Sequence, residues 1–150
     1  MSKVNALYLN AMTFYLAHEF AHIELKHDSS TVDTEKAADE RAMNLALEGA
    51  NTNSYDTKRF GILIGLCSLL FFKSTTKSST YPDMDDRIDA ILKKINPGPQ
   101  DGMWGIATLA YKLWDRLHHI GLEWHEGLAS PMELYYDVKR QVKERTTSKV

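Results

Sequence analysis

Apolar positions recur at three- and four-residue steps along most of the chain, the spacing of one helical face. Leu9, Met12, Leu16, Phe20 and Ile23 follow this rhythm and predict a helix from about Lys3 to Lys26. It should end near Asp28-Ser29-Ser30, whose side chains compete for backbone hydrogen bonds and favour turns. A second helix is expected to begin around Thr31 to Thr34 and run to about Leu47, with Gly49 stopping it. Asn51-Thr52-Asn53-Ser54 reads as a loop, and the uncharged run from Phe60 to Phe72 as a buried third helix. Lys73 to Thr80 offers nothing to bury and reads as a mobile loop. Tyr81-Pro82-Asp83 introduces a fourth helix with Ile88, Ile91, Leu92 and Ile95 on one face, and Ile106, Leu109, Leu113 and Leu117 mark a fifth. Ser130-Pro131-Met132-Glu133 combines a cap, a proline at the first helical position and a glutamate at the third, so a sixth helix starts there. The basic run from Lys139-Arg140 to Lys149 reads as a solvated, fraying helix end.

No strand pattern and no internal repeat interrupts this series, so the expected fold class is all-α, within one compact domain. The strongest breaker, Asn96-Pro97-Gly98-Pro99-Gln100-Asp101-Gly102, divides a core at 1–95 from a C-terminal helical pair at 103–150 that packs on it, with 96–102 as linker.

Composition narrows the function classes. A chain of 150 residues with 43% hydrophobic and 25% charged residues has the balance of an ordinary globular protein with a real core. The formal net charge of -2 gives no basic surplus and argues against nucleic acid as the main partner. Cys67 is the single cysteine and cannot form an internal disulfide, which favours a reducing compartment and a cytoplasmic location. Phe60 to Phe72 spans 13 residues. A membrane helix needs roughly 20, so no stable membrane insertion is expected. No signal-peptide pattern is visible at the N-terminus.

The chemistry is concentrated in His18-Glu19-Phe20-Ala21-His22. Residues four apart lie one above the other on a helix, so His18 and His22 can offer two imidazoles to one zinc ion. Glu19 projects beside that face, where its carboxylate can take a proton from metal-activated water and return it to a leaving amine. The flanking residues are mostly apolar, and small Ala21 leaves room beside an ion. A metal would compensate polar groups that are costly to bury there. A catalytic zinc takes a third protein ligand. If the first two helices form an antiparallel hairpin turning near Ser29-Ser30, His22 lies level with roughly position 37 and His18 with roughly position 41. Glu35 and Asp39, four apart, bracket that level. Glu35 is the expected third ligand, and Asp39 the acceptor for a ligand histidine's other nitrogen. Asp28 and Asp39 are the competing ligands. Asp28 lies six residues after His22, where the metzincin pattern has its third ligand, but that pattern needs a glycine where this chain has Leu25. His27 reads as an exposed helix-end residue, and Glu40 as solvated.

His-Glu-Phe-Ala-His-Ile-Glu-Leu-Lys-His followed by Glu-Lys-Ala-Ala-Asp-Glu-Arg-Ala resembles the gluzincin arrangement of HExxH with a downstream ExxxD. That arrangement is shared by HtpX-like and CAAX prenyl proteases and by phage-exclusion (Lit-like) and ImmA/IrrE-like peptidases. The likeness covers roughly residues 10–95, and Tyr81-Pro82-Asp83-Met84-Asp85-Asp86-Arg87-Ile88 is similar to a proline turn and arginine-bearing helix in several of these groups. It implies a zincin-like helical core, a protein or peptide substrate, and the ligand, base and outer-sphere roles already given. It adds Arg87 as a structural or substrate-orienting cation. The absence of an apolar span favours the phage-exclusion-like group over the membrane proteases. Members of these families carry residues before the zinc helix, often a sheet edge that holds substrate, whereas here the helix begins almost at Met1. A partner chain supplying a substrate-binding region is therefore expected as one arrangement.

Tyr55, Tyr81, His118, His119 and His125 are all candidates for oxyanion stabilisation. His118-His119 and Trp124-His125-Glu126 otherwise read as surface or helix-end residues, because adjacent histidines on a helix point about a hundred degrees apart. Trp104 and Trp114 read as core, and Tyr135-Tyr136 as one buried and one exposed ring. The leading expectation is a zinc-dependent peptidase; the alternative is a zinc-stabilised helical binding or regulatory module, of phage-exclusion or toxin–antitoxin type, with little turnover.

Overall fold

The computed structural model describes residues 2–78, 83–125 and 127–147, and among these the secondary structure is helical, with no strand. The fold is all-α. Its helices are α1 (Lys3–Glu24), α2 (Val32–Leu47), α3 (Thr52–Ser68), α4 (Met84–Ile95), α5 (Gly102–His118) and α6 (Pro131–Thr147), with a 3-10 turn at Leu69–Phe72. They fall into two compact units, Met1–Leu66 with Ser78–Pro82, and Cys67–Lys77 with Asp83–Val150. The breaker segment 96–102 lies inside the second unit. Tyr81, Pro82 and Glu126 lie outside the described residues, as does the terminal stretch 148–150.

In the first unit α1 and α2 form the hairpin that the turn residues predict. Thr31 caps α2 with a reciprocal box: its hydroxyl accepts from the Thr34 N–H at 3.2 Å, while its own N–H donates to Thr34 Oγ1 at 2.7 Å. Asp33 and Glu35 follow in the first turn, where the helix dipole favours acidic groups. Arg41 donates two hydrogen bonds of 2.7 Å to Glu24, tying α2 to α1. The hydrogen bond from Arg41 holds the Glu24 carboxyl below the usual carboxylate range.

Helical spacing predicted α1 but not the face it buries. Ala11, Phe14 and Ala21 are buried, whereas the rhythmic set is exposed, Leu16 at 68% and Ile23 at 75%. Apolar residues surround most of the helix, so spacing alone cannot choose between faces; the alanine and histidine side takes the packing. The fifth helix repeats this: Leu109, Leu113 and Leu117 are exposed while Trp104, Ala107, Tyr111 and Trp114 are buried.

Helix α3 begins at Thr52, earlier than its apolar run. Asn51 Oδ1 accepts from the N–H groups of Asn53 and Ser54, both at 3.1 Å, so the expected loop is a helix cap. Gly61 then lets α3 approach α1 closely. An added Cβ there would sit 2.4 Å from Asn10 Cβ and 3.1 Å from the Leu7 carbonyl. Four residues on, the Gly65 carbonyl accepts from the Tyr15 hydroxyl at 2.5 Å. Gly61→Ala should therefore destabilise the protein. Its intrinsic helical gain of about 1 kcal/mol is outweighed by overpacking of about 1–3 kcal/mol against backbone that cannot yield. Gly105→Ala, in α5 with nothing within 4 Å of the new methyl, should instead stabilise by about 0.5–1 kcal/mol. Thermal unfolding of the two variants checks the opposite signs.

In the second unit, α4, α5 and α6 enclose Ile88, Leu92, Tyr111, Trp114, Tyr135 and Val138, all at most 0% exposed. Trp104 is also buried and Tyr136 is half-exposed, so the expected split of Tyr135-Tyr136 holds. The 73–78 segment is tied down rather than empty: Thr76 is buried, and the Lys73 carbonyl accepts from Trp114 Nε1 at 2.7 Å. The basic run of α6 is likewise engaged. Lys139 Nζ lies 2.8 Å from Asp89 and Lys143 Nζ 2.8 Å from Asp86, with Val138, Gln141 and Val142 buried beside them. Ser130 caps α6 as predicted, accepting from the Glu133 N–H at 3.2 Å.

Candidate metal centre

The hairpin brings His18 and His22 of α1 against the first turns of α2. His18 Nε2 lies 3.2 Å from His22 Nε2 and 3.3 Å from Glu35 Oε2, and His22 Nε2 lies 3.5 Å from Glu35 Oε1. Taking one donor atom from each residue gives a triangle with every side within 4.8 Å, the 3.3 and 3.5 Å contacts going to different oxygens of Glu35. Ligands held at about 2.0–2.1 Å around a tetrahedral ion stand about 3.3–3.4 Å apart, close to the spacing of the two histidine nitrogens and to each one's approach to the carboxylate. Among the described residues, His18, His22 and Glu35 form the one group of three potential ligands whose donor atoms lie within 4.8 Å of one another.

Burial strengthens this chemistry. Glu35 is 4% exposed, and a buried carboxylate needs a positive partner or strong hydrogen-bond donors. Asp39, also buried, places Oδ1 3.0 Å from His18 Nδ1, the nitrogen that faces away from the triangle. Side-chain contacts thus pair His18 with Asp39 and His22 with Glu35, a register two residues tighter than the turn position predicts.

The triangle opens onto a cleft of about 410 Å³ lined by the two histidines, Glu19, Glu35 and the turn from His27 to Ser30. Glu19 is exposed on this cleft. Asp28 lines the cleft too, but its carboxylate is not in the three-ligand group. Glu40 is exposed.

His27 departs from its expected place. It is half-buried, with Nδ1 3.0 Å from His22 Nδ1 and ring centroids 5.0 Å apart. Lys26 at φ 54° turns the chain back toward α1. A left-handed residue is usually glycine, and the lysine hides that turn in the sequence.

The sequence matches the model of the peptidase U49 family over residues 1–107, which holds every member of this cluster. The chain belongs to the peptidase U49 family. No curated protein and no solved structure matches it. The family is one of peptidases, so this peptidase U49 chain has a protein or peptide substrate. No helix among the described residues is long and apolar enough to cross a membrane.

Of the other predicted residues that are described, Tyr55 belongs to the first unit, and Arg87, His118, His119 and His125 belong to the second. Arg87 is on α4, with Nη1 3.8 Å from Met84 Sδ. Tyr55 is exposed near the start of α3 and does not line the cleft. His118 Nε2 is 3.3 Å from the Phe71 carbonyl oxygen, and His119 ends α5 in the left-handed conformation. His125 Nδ1 lies 2.8 Å from Asp137 Oδ2.

Proposed function

We propose that this member of the peptidase U49 family is a zinc-dependent peptidase, with His18, His22 and Glu35 as metal ligands and Glu19 as general base. The observation that carries the reading is the convergence of His18 Nε2, His22 Nε2 and the Glu35 carboxylate, with contacts of 3.2, 3.3 and 3.5 Å. It belongs to a gluzincin-like arrangement, with the third ligand supplied by the helix after HExxH. Bound there, zinc would supply Lewis acidity for the scissile carbonyl and lower the pKa of attacking water toward neutrality.

The chain's own groups do the rest. Glu19, on the cleft wall beside both histidines, accepts the proton of the attacking water and delivers it to the departing amine. Asp39 Oδ1 lies 3.0 Å from His18 Nδ1, where it would orient the ring with Nε2 toward the ion and raise its basicity. Glu35 uses its two oxygens toward different histidines, balancing the charge of the ion. Arg87 remains a proposed structural or substrate-orienting cation on the resemblance alone. A reducing, cytoplasmic compartment fits the single cysteine. Cys67 is buried, and burial pushes its thiol up to about 12.

A second reading shares the zinc site but assigns it to a binding or regulatory module. The exposed apolar side of α1, with Leu16, Phe20 and Ile23, favours partner binding. Digestion of a quenched-fluorescence peptide library separates the two. The peptidase reading expects cleavage that stops with 1,10-phenanthroline and returns when zinc is added. Zinc-loaded protein that cleaves nothing, in the library or in a cell extract, would favour the module.

A further inference from the structure

The end of α1 is built as a Schellman turn. Leu25 is the capping residue, the Lys26 N–H donates to the Ile23 carbonyl at 3.2 Å, and the His27 N–H donates to the His22 carbonyl at 3.0 Å. This motif commonly packs the second residue beyond the cap on the residue three before it, through an apolar contact. Here those two positions are His27 and His22, and the contact is between imidazoles, 5.0 Å apart at an interplanar angle of 74°. The left-handed Lys26 that makes the turn is a conformation L side chains seldom adopt.

The two nitrogens of His22 face in different directions. Nε2 points into the triangle with His18 and Glu35, and Nδ1 meets His27 Nδ1 at 3.0 Å. An imidazole that gives its Nε2 lone pair to a metal carries its proton on Nδ1, and that proton needs an acceptor. For His18, the nearby carboxylate is that of Asp39, with Oδ1 3.0 Å from Nδ1. We propose that His27 is the positioning residue for His22, accepting a hydrogen bond on Nδ1 so that Nε2 of His22 is held toward the metal. His27 is not itself a ligand: its near nitrogen faces the non-ligating side of His22 and lies outside the three-ligand group. The inference rests on the zinc reading above.

Zinc affinity by chelator competition, measured on wild type, His27→Leu and His27→Gln, tests it. Leucine preserves an apolar contact on His22 and removes the acceptor, whereas glutamine retains one. His27→Leu should weaken zinc binding about 10- to 100-fold, and His27→Gln should recover most of the loss. The cobalt-substituted proteins should share one visible spectrum, because the ligand set is unchanged. In zinc-loaded wild type, long-range proton–nitrogen NMR should find the proton on Nδ1 of His22 and on Nε2 of His27. Wild-type affinity in His27→Leu, a changed cobalt spectrum, or a proton on His27 Nδ1 would overturn the positioning role while leaving the zinc site standing. Wild type that binds no zinc would overturn both.

Discussion

Glu19→Gln should reduce peptide hydrolysis by about 10²- to 10⁴-fold, the usual range for a general acid–base group, while the protein keeps its zinc. Glutamine matches glutamate in shape, and Glu19 is exposed on the cleft rather than buried in the donor triangle, so folding and metal binding should hardly change. The variant removes the proton acceptor and nothing else. Steady-state cleavage of a fluorogenic peptide, paired with metal analysis of the same sample, measures both halves. Loss of hydrolysis together with loss of zinc would make Glu19 a structural residue. Unchanged turnover would remove it from the mechanism. Partner binding that survives the substitution, in a protein with no turnover to lose, would favour the regulatory module.

Glu35→Ala should have the largest effect on metal binding. Its carboxylate lies 3.3 and 3.5 Å from the two histidine Nε2 atoms, and without it two imidazoles remain. Affinity should fall well beyond the about 10- to 100-fold expected for an outer partner such as Asp39. The comparison with Asp39→Ala is the informative one, because both carboxylates are buried and both reach His18. If Asp39→Ala loses more zinc than Glu35→Ala, the ligand and the orienting residue exchange places. If Asp28→Ala matches Glu35→Ala, the third ligand comes from the turn.

Local rules made much of this hairpin readable. Helical periodicity sets His18 above His22, and the position of the turn brings Glu35 and Asp39 close to their level, although the register it gives differs by two residues from the one the side chains adopt. Other features needed tertiary information. Leu9, Met12, Leu16, Phe20 and Ile23 describe a perfectly good helical stripe, yet the alanine-rich side is the one buried, because small side chains let neighbouring helices approach. Asn51 looked like part of a polar loop; its side chain caps α3, a role that composition cannot separate from a turn. His27 was hidden for a third reason. Its place depends on a left-handed backbone at Lys26, where the glycine that normally announces such a turn is missing.

Metal content by mass spectrometry, on protein purified without a histidine tag, tests the central claim most directly. The account predicts about one zinc per chain in wild type and essentially none in His22→Ala prepared alongside. Wild-type protein that carries no zinc and takes up none when zinc is added would contradict it, leaving His18, His22 and Glu35 as a hydrogen-bonded cluster.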